Sequence, residues 1–255
     1  MVRDFVILGS GVCIEYKDEL FILTAAHLIE GCGPADIDLL ARPEAPLTRK
    51  PDRLVSSERF HPAIAGITLS PGAQDGPDDL ALLHLSGRPP EMAHVAFYPA
   101  TVEQPVKPIR KQVGIFGFPF ESTRVLRRAP ELGRGAFPYW DSPPVARVSR
   151  ATVRSLMRAR PPYRSSVHVL LRFPDLPFTG DNRNQLHDPQ GLSGGAAWGL
   201  GRREPNKPWT PVAKPVAIII AYARRHDVLV ATRIKRAWAL LKTWEEGAVR
   251  SAGSG

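Results

Sequence analysis

Apolar residues in this chain fall into short, strand-length runs broken by Gly, Pro and Asp. Residues 5–16 and 20–25 predict a first hairpin, turned by Lys17, Asp18 and Glu19. His27 follows at its end. Residues 37–42 predict another strand, and Arg59-Phe60-His61-Pro62 enters a loop rich in Gly, Pro and Asp that ends at Asp78. The apolar run from Leu80 to Leu83 reads as a short buried strand. A proline-rich connector covers residues 87–108, after which residues 112–118 alternate apolar and polar positions and close on Gly117-Phe118-Pro119, the pattern of a strand entering a turn. Between residues 101 and 180 the patterning is weak.

Composition narrows the class. A chain of 255 residues forms one large domain or two small ones and can bury a substantial core. Hydrophobic content of 43% and charged content of 23% are ordinary for a globular protein, while Pro 26 and Gly 21 favour many turns over long helices. All-β is the class expected. No apolar run approaches the length of a membrane-spanning helix, and residues 1–8 lack the long apolar stretch of a secretory signal. The expectation is a soluble, cytoplasmic protein without a membrane association.

The candidate chemistry sits in Leu23-Thr24-Ala25-Ala26-His27, Asp79-Leu80-Ala81-Leu82-Leu83 and Gly191-Leu192-Ser193-Gly194-Gly195. A serine hydroxyl is a poor nucleophile near neutral pH and needs an imidazole to take its proton. His27 is the candidate base for Ser193. The imidazole needs a buried carboxylate on its other nitrogen to fix its tautomer, and Asp79, at the head of an apolar strand, is placed for that. Glycines around Ser193 let the backbone turn amides toward a developing oxyanion, with Gly191 and Ser193 the expected donors. This set requires no cofactor. No His/Cys/Asp/Glu spacing of a metal site appears, so no metal is expected.

The three segments, in the chain order His, Asp, Ser, resemble the trypsin-like serine peptidases of the chymotrypsin fold. Gly9-Ser10-Gly11-Val12 looks like that family's first hairpin, residues 216–223 and 228–234 look like its last two strands, and residues 233–245 look like its closing helix. The resemblance implies an all-β fold of two six-stranded antiparallel β-barrels with a C-terminal α-helix. Its divisions would be an N-terminal barrel over residues 1–100 carrying His27 and Asp79, a C-terminal barrel over 101–232 carrying Ser193, a helix over 233–246 and a flexible tail over 247–255. It implies a serine endopeptidase acting on a protein or peptide substrate through an acyl-enzyme.

Ala221-Tyr222-Ala223 matches the family strand that pairs with substrate backbone, which implies binding by strand addition. His187 stands where the family places the base of the primary specificity pocket, either contacting a substrate side chain or folded back into its own loop. Asp188 beside it is the alternative receiver, for a basic side chain. The acidic determinant of trypsin-like cleavage is not at its usual place. Cys13 and Cys32 stand near positions that extracellular relatives bridge; in a reducing compartment two free thiols are the expectation. Leu192 replaces the aspartate that zymogen relatives pair with a new N-terminus, and no Ile-Val-Gly-Gly segment is present. Control is therefore expected from ordering of the loop around Gly191 or from an activating protein partner. Intracellular peptidases of this kind in bacterial signalling and defence cleave a dedicated partner, which by analogy sets the class of substrate.

Residues 124–172 concentrate arginine and carry much of the net charge of +9. Guanidinium clusters bind carboxylates and phosphates, but no nucleic-acid module signature accompanies them, so a solvated strand-and-loop surface is expected and nucleic acid is not. Two other readings fit the residues: a peptidase-fold module that binds peptides without cutting them, and a basic adaptor for an acidic partner or nucleic acid.

Overall fold

The computed structural model describes residues 9–41, 58–71, 77–102, 113–117, 139–141, 144–159, 162–173, 189–199 and 214–252. The first hairpin is β1 (Val12–Tyr16) and β2 (Glu19–Ala25), joined through Lys17 and Asp18, both at positive φ (51° and 64°). Two successive left-handed residues give a turn whose twist matches the strands it joins. Then come β3 (Leu39–Ala41), β4 (Glu58–Phe60), β5 (Ile64–Leu69), β6 (Leu80–Leu85) and β7 (Tyr98–Pro99). The remaining strands are β8 (Gly114–Gly117), β9 (Tyr139–Asp141), β10 (His168–Arg172), β11 (Ala196–Gly199), β12 (Lys214–Ala223) and β13 (Val228–Arg233). Helix α1 (Arg150–Met157) precedes β10, and α2 (Ile234–Ala252) follows β13.

Two sheets carry the fold, one ordered β5-β6-β2-β1-β7 and the other β10-β13-β12-β11-β8-β9, with β3 and β4 as a separate two-stranded pair. The two-sheet, all-β architecture is as expected, while the first sheet has five strands rather than six among the described residues. One of them was not expected at all. Tyr98–Pro99, inside the proline-rich connector, joins the edge of the first sheet parallel to β1, with Ile14 opposite Tyr98. Pro99 lacks an N–H and is tolerated there because an edge strand has one side without a ladder.

Alternation within single strands divides the interior in three. From β2, Phe21, Leu23 and Ala25 point into a core shared by both sheets, while Ile22 joins Ile37, Phe60, Leu83, Leu85, Met92 and Phe97 in a core of the first half alone. From β12 and β13, Ile218, Ile220, Val228 and Val230 enter the shared core, while Ala217, Ile219, Leu229 and Ala231 enter one that belongs to the second half. Strands buried on both faces explain why β2 and β6 read as continuous apolar runs.

Helix α2 seals the shared core with Ile234, Ala237, Trp238, Leu240 and Leu241, the spacing of one helical face. It also reaches the first sheet: Trp244 meets Phe21 edge-on with ring centroids 4.8 Å apart, and the Tyr16 hydroxyl donates to Glu245 Oε2 at 2.8 Å. The helix, expected to end at residue 246, continues to Ala252. Gly247 costs about 1 kcal/mol in a helix interior, too little to stop a run flanked by good helix formers. Helix α1 is a second departure, lying in the arginine-rich stretch expected to be strand and loop. The Ser149 Oγ caps it by accepting the Thr152 N–H at 3.1 Å, and Leu156 is its buried residue.

Candidate active site

Antiparallel pairing of β2 with β6, which sets Ala25 opposite Leu80, brings the residues just beyond each strand end together. His27 lies in the 3-10 turn Ala26–Ile29 directly after β2, and Asp79 directly precedes β6. The Asp79 carbonyl accepts the Ala26 N–H at 3.1 Å, its Oδ1 accepts the His27 N–H at 2.9 Å, and its Oδ2 pairs with His27 Nδ1 at 2.7 Å. Nδ1 is the donor in that last bond, since an ionised carboxylate only accepts, and Nε2 is left as the basic nitrogen. The Asp79 side chain is 3% exposed and that of His27 43%. A carboxylate is thus buried against one ring nitrogen while the other faces outward.

Asp79 holds φ at 42°, a left-handed conformation that costs a non-glycine residue about 1 kcal/mol or more. The second half of the molecule grips the two residues before it. The Thr232 hydroxyl donates to the Asp78 carbonyl at 2.8 Å, and Arg236 Nε lies 2.9 Å from both carboxylate oxygens of Asp78. The Arg164 N–H donates to His168 Nδ1 at 2.9 Å, so Nε2 carries the proton that His168 gives to the Pro77 carbonyl. Burial lowers the His168 pKa; the Pro77 carbonyl and the Asp78 carboxylate oppose that shift.

Ser193 belongs to the second half, and residues 9–11 fasten it to the first. The Ser10 N–H donates to the Ser193 carbonyl at 2.7 Å, the Ser10 hydroxyl to the Gly191 carbonyl at 2.7 Å, and the Thr24 hydroxyl to the Ser10 carbonyl at 2.7 Å. Thr24 is on the strand that delivers His27. At Gly9 a Cβ would lie 2.2 Å from Leu28 Cδ1 and 2.7 Å from the Ser193 carbonyl oxygen, so the neighbour of His27 and the backbone of the candidate nucleophile both pack against the space that this glycine leaves open. Gly194, at φ 85°, backs onto the same strap.

Within residues 191–195 three of the five amides are used. The N–H groups of Leu192, Gly194 and Gly195 donate to the carbonyls of Pro189, Ile219 and Leu192. Among the described residues those of Gly191 and Ser193, the expected oxyanion donors, donate to none. Nor does the Ser193 hydroxyl bond to His27 Nε2 among the described residues. The structure therefore joins His27 to Asp79 directly and Ser193 to their neighbourhood through backbone.

A pocket of about 260 Å³ opens beside Ser193, lined by Pro189, Gln190, Ile219, Ala221, Tyr222, Arg224 and Leu229. Ala221 and Tyr222 are where strand addition was expected. Ala223 closes β12 without lining the pocket, and His187 and Asp188 lie outside the described residues. Strand β12 outruns β11 beyond Ile218, its pairing with β13 shifts register between Ile219 and Ala221, and Ala221 and Tyr222 line the pocket together with Ser193. Ser10, Thr24 and Arg224 were not anticipated. A hydroxyl between two glycines at Ser10 was the one local sign of a strap.

Among the described residues no group of three or more His, Cys, Asp or Glu side chains could hold a metal ion, and no helix is long and apolar enough to cross a membrane. Cys13 and Cys32 are free thiols.

No protein-family description matches this chain, and no curated protein does. Among solved structures it is similar to human heparin binding protein, at 15% identity over 94% of this chain and 85% of that one, with a TM-score of 0.50. A mutant of the same human protein gives 14% identity, coverage of 92% and 84%, and a TM-score of 0.49. With its two sheets, shared core and closing helix, this chain has the chymotrypsin-like fold.

Proposed function

We propose that this protein is a serine endopeptidase. The observation that carries the reading is the buried Asp79 carboxylate bonded to both the backbone and the Nδ1 of His27, with Ser193 tied to the same strand end through Ser10 and Thr24. In this reading Ser193 Oγ attacks the scissile carbonyl carbon while His27 Nε2 takes its proton. The oxyanion is received by the amides of Gly191 and Ser193, which have no other acceptor among the described residues. Collapse expels the amine, which leaves with the proton from His27. Water, deprotonated by His27, then attacks the acyl-enzyme ester and releases Ser193. Asp79 holds the imidazole in the Nδ1–H tautomer and stabilises the imidazolium. Substrate backbone adds along residues 221–223. A dedicated protein partner in the cytoplasm is the substrate class this reading favours, and an activating partner is its means of control.

Closing the Ser193 to His27 contact on substrate binding is part of this proposal, since catalytic hydrogen bonds in empty sites are commonly long. The missing contact favours a second reading, in which the cleft holds a peptide without cutting it. Reaction with a fluorophosphonate separates the two. Labelling of the parent and not of Ser193→Ala supports the enzyme, and Asp79→Asn should slow peptide cleavage by about 10⁴-fold through the wrong tautomer. No labelling of either form refutes the enzyme.

A further inference from the structure

Among the described residues Arg224 is the one charged side chain lining the pocket beside Ser193. It starts the short 3-10 turn Arg224–His226 that joins β12 to β13, where Asp227 at φ 49° returns its N–H to the Arg224 carbonyl at 3.3 Å. That tight closure fixes the backbone from which the guanidinium extends. The side chain is exposed and, among the described residues, has neither an ion pair nor a hydrogen bond. Arg236, by contrast, is occupied by Asp78. Among the described residues the lining shared with Arg224 includes four apolar side chains: Ile219, 1% exposed, and Leu229, fully buried, with Pro189 and Ala221. Gln190 and Tyr222 supply neutral polar groups, and Asp227, the acid of the hairpin, does not line the pocket.

We infer that this pocket selects a carboxylate side chain, Asp or Glu, on the substrate residue whose carbonyl Ser193 attacks. The inference rests on the reading of Ser193 as the nucleophile. A guanidinium offers paired, planar donors that match a carboxylate, and such a charge-assisted pair gains strength where the surrounding wall excludes water. A substrate lysine or arginine would set like charges together against Ile219 and Leu229. A large apolar side chain would cover the guanidinium and leave it without an acceptor. The net charge of +9 acts in the same direction at longer range, raising the encounter rate with acidic segments.

The test measures binding first, on the Ser193→Ala chain, so that it needs no turnover. End-blocked fluorescent peptides identical except for Asp, Glu, Asn, Gln or Lys at one position are titrated and followed by anisotropy. The acidic peptides should bind about tenfold or more tighter than their amide counterparts, the scale of a hydrogen bond to a charged group. Adding Arg224→Gln should bring Asp and Asn peptides to equal affinity, and adding Arg224→Glu should turn the preference toward Lys. Circular dichroism confirms that each variant is folded, as expected for an exposed position. Equal affinities on the Arg224 chain, a preference for Lys there, or no binding of any peptide overturns the inference. Fluorophosphonate labelling of the parent reports separately on Ser193. An acidic preference without labelling keeps the pocket and removes the nucleophile; labelling without an acidic preference does the reverse.

Discussion

The grip of the second half on Asp78 can be broken at Arg236 with little other damage. Arg236→Met keeps a long unbranched stem and a good helix former while removing the guanidinium. The Asp78 side chain is 6% exposed and that of Arg236 41%. Removing one partner of a fully buried pair costs about 3–5 kcal/mol, whereas an exposed pair contributes about 0–1. With the acid buried and the base two-fifths open, water enters the vacated position and the expected loss is about 2 kcal/mol. For a chain of this size that lowers Tm by about 4–8 °C. Scanning calorimetry of the parent, Arg236→Met, Asp78→Asn and the double variant forms a cycle in which the coupling should be about 1–2 kcal/mol. The fluorophosphonate labelling rate should fall with it, because Asp79, the next residue, sits at a left-handed φ and would lose the anchor on its neighbour. A Tm for Arg236→Met within about 1 °C of the parent, with labelling unchanged, would show that the ion pair does not support the site.

Acid should destabilise the protein through His168. Its folded pKa is lowered by burial, so as pH falls below about 6.5 the unfolded chain binds a proton the native state refuses, and stability present at neutral pH is lost by up to about 1.4 kcal/mol per pH unit. Arg164, Arg233 and Asp78 modulate that shift in the parent; a His168→Gln variant should show a flatter Tm against pH, and equal slopes would contradict the assignment. Gly194→Ala places a Cβ 1.9 Å from the Ser10 carbonyl oxygen and 2.3 Å from Thr24 Oγ1 at φ 85°, so it should cost about 3 kcal/mol or more in thermal stability and abolish labelling. Burial pushes the Cys13 thiol up to about 12, so iodoacetamide near neutral pH should alkylate Cys32 well before Cys13 by peptide mass analysis.

Local chemistry was written in the sequence. Strand-length apolar runs announced β2, β6, β12 and β13, because a strand buried on both faces must be apolar throughout. His27, Asp79 and the glycines around Ser193 stood out because each is a polar or flexible residue at the end of such a run. The sequence could not say which face of each strand enters which core: a period of two marks two faces without naming their partners. It also hid α1, whose arginines mask the single buried Leu156, and β7, whose prolines read as linker. Only the tertiary structure brought Ser10 between Thr24 and Ser193, closed Thr232 and Arg236 on Asp78 across more than half the chain, and turned Arg224 into the pocket. Those contacts join residues whose separation in sequence carries no local signal, and burial of the core shared by the two sheets is what brings them within reach.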